Sequence, residues 1–407
     1  MTQIVKDKIL VVSPVVPRRD MNSGDLRLSS LISLLAQQYE VTLVSCDYKP
    51  GDDTYISLLE QAGVTVYTPP FSLWNLLKTK KFKVAILEFY FIAGFYLDRI
   101  RILQPECRVV VDTVDVHYLR LKQKYDLTKN EADQAIYLKT RENELLVYRK
   151  ADAVITVTRD DAAALLEESS DIPCEVVPNV HELCRSDTTP EKNALIFVGG
   201  FLHSPNVDAV LHFCKDIMPL IWKKNSDVHL TIVGSNPPDK IRNLECEAVK
   251  VTGYVPETSS YLHRSCVSVA PLRYGAGMKG KIGEAMAHGV PVVTTSVGAE
   301  GMGLVHGENA LIADSSQEFA AAVLELLNNP DLYVKVCKNA IQLIDDNFTP
   351  PHVAKKMINV LEKVCNRQVK QMSFIAKMLF FKDYFVSHIK NRLLCTTGEL
   401  VAAPRES

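Results

Sequence analysis

The densest chemistry in the sequence lies between Arg273 and Glu284, where Gly275, Gly277, Met278 and Gly280 are interleaved with the cations Arg273, Lys279 and Lys281. Glycines in such a run let the backbone turn tightly and bring main-chain N–H groups close to a ligand. A helix opening at Gly280 adds unpaired N–H groups and the positive end of its dipole, a geometry that binds phosphate oxygens. Fixed cations beside it suit a diphosphate whose charge grows as a bond to it breaks. Glu284, in the first turns, is placed to accept hydrogen bonds from ribose hydroxyls. The same residues also read as a glycine-rich turn with solvated charges and a capping glutamate.

The elements that must hold this loop are legible as an alternation of short β-branched runs with longer helical ones, the pattern of parallel βαβ units. In the first half the predicted strands are Lys8–Ser13, Val41–Cys46, Val64–Thr68, Val84–Glu88, Arg108–Asp112 and Ala153–Thr158, with helices over Leu26–Gln38 and Glu131–Arg149. A polar stretch over His181–Asn193 reads as a linker. A second cycle follows, with strands Ala194–Val198, His229–Val233, Val249–Thr252, Val267–Ala270 and Val290–Thr295 and helices Val207–Trp222 and Gly280–His288. The fold class expected is α/β, two Rossmann-like doubly wound parallel-sheet domains facing a cleft, over residues 1–183 and 190–350, with a helical tail over 351–407. In open parallel sheets ligands bind beyond the carboxyl ends of the strands, so two such sheets set two ligands against each other.

The whole-chain figures agree. A length of 407 residues points to two domains. A net charge of -2 speaks against a nucleic-acid binder, which carries a basic excess. The run Ile9–Val12 is stopped by Pro14 and reads as a strand rather than a signal peptide. No stretch approaches the ~20 apolar residues of a membrane span, and the expectation is a cytoplasmic protein. Ten cysteines lie singly without a Cys-x-x-Cys pair, and most are expected to be reduced core residues.

Beyond these readings, the segment Pro271–Gly303 resembles the donor-binding signature of the group 1 glycosyltransferases, also called family 4. The likeness runs upstream through Phe197–Phe201, Ser204–Ala209, Leu230–Ser235 and Val251–Pro256, and more weakly through Ser23–Arg27, Val111–His117 and Val177–Asn179. The resemblance implies a retaining, metal-independent enzyme of the GT-B fold that transfers a sugar from a nucleotide-diphosphate sugar to a hydroxyl of a glycan or lipid-linked acceptor, in surface polysaccharide or glycoconjugate synthesis. It implies that Gly24 approaches the donor phosphates and that His117 contacts the transferring sugar. It assigns catalytic weight to His117, Lys281 and Arg273. Donor contacts fall to Gly24, Gly200, His203, Asn206, Tyr254, Gly275, Gly277, Met278, Lys279, Gly280 and Glu284. No cofactor and no metal ion are expected.

The sequence also departs from the family pattern. Of the Glu-x7-Glu pair common in the family, Glu284 fills the second place and Ala276 the first. Gly200 and Asn206 stand where an arginine and a lysine are usual, and Arg273, Lys279 and Lys281 are the cations left to compensate. A sugar-nucleotide epimerase of the same fold, or a non-catalytic nucleotide-sugar-binding relative, are the rival readings. A dinucleotide oxidoreductase lacks its Gly-x-Gly-x-x-Gly after the first strand. In the tail, residues 366–394 mix Lys370, Lys377, Lys390 and Arg392 with large apolar residues. They read as a membrane-surface helix at the inner face, or as a helix packed on protein.

Overall fold

The computed structural model describes residues 6–372 together with 377 and 378. Two wholly parallel sheets carry it. The first is built from β1 (Lys8–Ser13), β2 (Glu40–Ser45), β3 (Thr65–Tyr67), β4 (Val84–Glu88), β5 (Arg108–Asp112), β6 (Ala153–Thr156) and β7 (Cys174–Val176). Its spatial order is β3-β2-β1-β4-β5-β6-β7. The second contains β8 (Ala194–Val198), β9 (His229–Val233), β10 (Val249–Gly253), β11 (Val267–Ala270), β12 (Val292–Thr294) and β13 (Leu311–Ile312). Its order is β10-β9-β8-β11-β12-β13. In both, the strand order reverses beside the first strand, which opens a crevice beyond its carboxyl end.

Burial on both faces explains why the inner strands are continuous apolar runs: Ile9, Leu10, Val11 and Val12 are all at most 1% exposed. One face of the first sheet packs against Tyr90–Leu103 and Glu131–Lys150, through Leu97, Ile100, Leu145 and Tyr148. The other packs against Ser23–Leu35 and against the late helix Pro350–Asn366, which supplies Val353, Met357, Val360, Leu361 and Val364. That late helix therefore completes the core of the first domain after the chain has passed through the second.

Strand predictions at the sheet centres match closely, and the two strands not predicted, β7 and β13, are three-residue and two-residue edges. They are too short to show a period and exist through pairing with β6 and β12. The single helix expected over Val207–Trp222 is interrupted: helical turns over Ser204–His212 and Met218–Trp222 flank a π-helical turn at Phe213–Ile217. Pro219 lacks the N–H that a continuous α-helix would need there, and the wider turn accommodates it. The linker is not uniformly solvated. Residues 177–181 are buried, and His181 and Asn193 are 5% and 8% exposed. Among the described residues nine cysteines are free thiols; Cys107 is buried, and Cys46, Cys174, Cys214, Cys266 and Cys365 are partly buried against the core.

Beyond the helix ending at Asn366, the start of the tail docks on the first domain. The Lys370 N–H donates to Asp152 Oδ1 at 2.7 Å, and Arg367 pairs with Glu175 at 2.6 Å. The greater part of the stretch expected at a membrane surface, residues 373–376 and 379–394, lies outside the described residues. Among the described residues no helix is long and apolar enough to cross a membrane.

Candidate active site

The loop from Leu272 to Lys279 leaves β11, and the helix Gly280–Ala287 follows it. That helix has no side-chain cap and no acidic residue in its first turn, so its leading N–H groups remain available to an anion. The N-terminus of the Ser23–Leu35 helix, which follows β1, meets it from the other domain. A Cβ on Gly280 would stand 2.3 Å from Cβ of Ser23. Two helix N-termini therefore abut across the cleft, the Ser23 one capped by Asn22 and carrying Asp25 in its first turn, and only glycine permits the approach. Gly277, at φ 70, is pressed against Val157 and against the Val114 carbonyl, and Gly24 packs on the Val114 side chain. Three loops from two domains thus meet at Val114, itself held at φ 55, with the Asp115 N–H bonded to the Thr113 carbonyl at 2.5 Å.

Lys281, the second residue of the Gly280–Ala287 helix, reaches toward the end of β8 and the helix after it. Its ammonium donates to Oδ1 of Asn206, while the Asn206 amide donates to the Gly200 carbonyl at 2.7 Å. It also lies 5.2 Å from the centre of the Phe197 ring. Burial, with the nearby charge of Lys279, pushes its pKa down to about 7. Gly200 and Asn206, which replace the cations usual in the family, therefore form the seat of Lys281.

Lys279 lies differently from the expectation of a phosphate-facing cation. Its ammonium folds back into its own loop, donating to the carbonyls of Gly275 and Gly277 at 3.0 and 2.9 Å and pairing with Glu300 at 3.2 Å. Arg273 is engaged elsewhere too. It is exposed, bound through two nitrogens to Asp208, and its electrostatic partners are Asp208, Asp216 and Tyr274 rather than the cleft residues. Of the three cations, Lys279 is thus held by its own loop, Lys281 by Asn206, and Arg273 is corrected to a surface ion pair. Met278 is buried, and its carbonyl accepts from Asn179 at 3.2 Å.

Glu284 accepts a hydrogen bond from Thr258 Oγ1, and burial raises its pKa. His203 caps the Ser204–His212 helix at the cleft edge, where it interacts electrostatically with Lys281, Arg120, Asp115 and His117. Tyr254 sits at the rim and donates to Asp20 of the other domain at 2.8 Å; Tyr55 donates to the same carboxylate at 2.6 Å.

On the first-domain wall His117 opens the helix His117–Thr128. Beneath it lies Glu144, wholly buried, which accepts the His117 and Tyr118 N–H groups at 3.0 and 2.8 Å and the Tyr148 hydroxyl at 2.9 Å. His117 Nδ1 stands 3.4 Å from the same carboxylate, and the ring packs edge-on to Phe89 and Tyr90. Burial alone would lower the His117 pKa, but Glu144 and Asp115 outweigh it and raise it. Burial likewise acts to raise Asp115, yet Arg120, bonded at 2.8 Å, and His117 hold its carboxyl below the usual value.

Sequence reasoning missed Glu144, Asp161 and Gln123. Asp161 faces Gly277 and Lys279 from the Arg159–Glu168 helix, and burial pushes its pKa up to about 6. Gln123 accepts the Gly275 N–H at 2.8 Å. The one available signal was the Thr158-x-x-Asp161 cap, which marks a helix start and not a partner across the cleft.

Comparison with known proteins agrees with this geometry. Residues 192–329 match the family described as glycosyl transferases group 1. An uncharacterized 44.6 kDa protein of the cps region of Klebsiella pneumoniae is 27% identical over 164 residues, 38% of this chain but only 42% of that protein. The capsular polysaccharide biosynthesis glycosyltransferase CapH of Staphylococcus aureus is 22% identical over 316 residues, 71% of this chain and 82% of its own. Among solved structures, Anabaena HepE in complex with UDP and glucose superposes with a TM-score of 0.66 at 15% identity, covering 88% of this chain and all of that one. S. aureus TarM, in a complex with UDP and glycan ligands, gives 0.68 at 12% identity over 89% of this chain and all of its own. Over residues 192–329 the chain is similar to the group 1 glycosyltransferases, and its two parallel-sheet domains have the GT-B architecture.

Proposed function

We propose that the chain transfers a sugar from a nucleoside-diphosphate sugar to a hydroxyl of a glycan or lipid-linked acceptor, with retention of anomeric configuration and without a divalent ion in the transfer step. The observation that carries this reading is the abutment of the Ser23 and Gly280 helix ends with Lys281 seated between Asn206 and Phe197. The uncapped N–H groups of the Gly280 helix and the Lys281 ammonium on the same helix would gather the charge of a diphosphate. The UDP complexes of HepE and TarM support a nucleotide sugar as donor. The capsular relative supports a cell-surface polysaccharide as the destination.

In this reading the acceptor oxygen bonds to the anomeric carbon as the bond from that carbon to the diphosphate oxygen breaks. The hydroxyl proton passes to the departing phosphate on the same face. Lys281 and the Gly280 helix end stabilise the charge left on the diphosphate, Glu284 holds the ribose, and His117, oriented by Glu144, contacts the sugar. The enzyme then works at the inner face of the membrane, with residues 366–394 as a peripheral contact. Thermal-shift screening of nucleotide sugars, followed by NMR of products formed with hydroxyl acceptors in buffer with and without Mg2+, tests the reading. One stabilising donor, a retained anomeric configuration and equal rates in both buffers are expected. Turnover only with Mg2+, an inverted product, or epimerised donor without transfer would overturn it.

A further inference from the structure

At the far end of the donor helix from Lys281 lies a cluster that the transfer chemistry does not use. Cys184 comes from the linker, His263 from the Ser259–Arg264 helix, and His288 caps the Gly280–Ala287 helix. The Cys184 sulfur and one nitrogen from each imidazole all lie within 4.8 Å of one another, and all three residues are half-buried. The two rings stand 5.0 Å apart, centre to centre.

Each ring is oriented by a main-chain carbonyl: His288 Nδ1 is 2.8 Å from the Glu284 oxygen, and His263 Nε2 is 3.1 Å from the Cys184 oxygen. A carbonyl only accepts, so those nitrogens carry the protons. Each neutral ring then keeps one lone pair on its other nitrogen, and at His288 Nε2 a metal would displace the Ser259 hydroxyl now bonded there. Fixing the tautomer through the second nitrogen is how proteins present histidine to a metal. Ser259 Oγ lies 3.1 Å from His288 Nε2, and Glu257 is close enough to act on His288 electrostatically.

We propose that Cys184, His263 and His288 form a binding site for a zinc-class divalent cation. One thiolate and two imidazoles are a ligand set that zinc takes with tetrahedral geometry, the fourth position going to water beside Ser259. The thiol loses its proton to solvent as the metal binds. The thiolate and Glu257 together balance the cation's charge. Such a site is a structural tie. The Cys184 N–H already donates to the Ala287 carbonyl at 3.0 Å, and Thr258, next to Ser259, holds Glu284. A bound metal would fix the linker, the Ser259 helix and the Glu284 end of the donor helix as one unit, and takes no part in sugar transfer.

The test uses the full-length protein stripped of metal, titrated with Zn2+ against a chromophoric chelator and, separately, with Co2+. One equivalent of Zn2+, a rise in melting temperature, and a cobalt spectrum with a thiolate charge-transfer band are expected. Cys184→Ser removes that band, and both Cys184→Ser and His263→Gln weaken Zn2+ binding by on the order of 100-fold or more, at or above the upper end of losing an outer-shell partner. Circular dichroism of both apo variants establishes that they fold. Binding by wild type no tighter than by the folded variants, or a cobalt spectrum without thiolate ligation, would overturn the proposal. Neither result bears on nucleotide-sugar binding.

Discussion

The Lys281 ammonium donates a hydrogen bond to Oδ1 of Asn206 while lying 5.2 Å from the centre of the Phe197 ring. In the proposed reading, the pairing places a lysine where the usual cations after β8 are missing, and a bound diphosphate would hold it in its charged form. Asn206 is neutral, so it positions the ammonium without neutralising it. Lys281→Gln is expected to lower turnover by on the order of 10²-fold, the scale of losing one preorganised transition-state donor. Steady-state kinetics with saturating acceptor checks this.

Glu144 gives a second expectation. It satisfies two main-chain N–H groups at the start of the His117 helix and the Tyr148 hydroxyl, all in a buried setting. Glu144→Gln turns an amide toward groups that require an acceptor, and a urea titration should show a loss of about 1–3 kcal/mol. Turnover should fall with it while nucleotide affinity stays as in wild type, because Glu144 acts through His117 and not on the diphosphate.

The contact between Gly280 and Ser23 predicts a paired result. Gly280→Ala places a methyl 2.3 Å from Ser23 Cβ and must part the two domains locally. Displacing reacting groups by about an ångström can cost on the order of 10²-fold in rate, and kcat/KM should drop on that scale. Adding Ser23→Gly removes the obstructing atom and should restore most of the loss, a coupling that a double-mutant cycle measures.

Much of this site could be read from residue order, and the reason is local. The glycine loop, the helix start at Gly280 and the Glu284 carboxylate sit on one continuous segment, so spacing alone brings them together. The central strands were equally legible because burial on both faces makes them unbroken apolar runs. What escaped depends on tertiary approach. Glu144 lies in the middle of a long helix and acquires its role only where that helix passes beneath His117. Lys279 and Lys281 look alike in sequence, yet one folds onto its own loop carbonyls and the other reaches Asn206 in the helix after β8. Arg273 looked like a donor clamp until Asp208, far away in the chain, was found on its guanidinium. Cys184, His263 and His288 come from three separate elements and form no spacing motif.

The rim pair offers a test of closure. Tyr254 and Tyr55 share the Asp20 carboxylate, and Tyr254 spans the two domains. Tyr254→Phe removes the interdomain bond but keeps the ring. Fluorescence resonance energy transfer between labels on the two domains should report a larger open fraction without nucleotide, and saturating nucleotide should return it to the wild-type value.

The most direct test of the account is calorimetric titration of the nucleoside diphosphate of the donor selected by thermal shift into wild type and Lys281→Gln across pH 6 to 9. With its pKa pushed down to about 7, Lys281 loses its proton above neutrality in the free enzyme, whereas a bound diphosphate favours the charged form. Binding to wild type should therefore weaken as pH rises through 7 toward 9, with proton uptake visible as a dependence on buffer ionisation heat, and the variant should bind more weakly with that dependence gone. Equal affinities for the two proteins at every pH, or no binding of that nucleoside diphosphate to the wild type, would contradict the assignment of the Gly280 helix end and Lys281 as the diphosphate site.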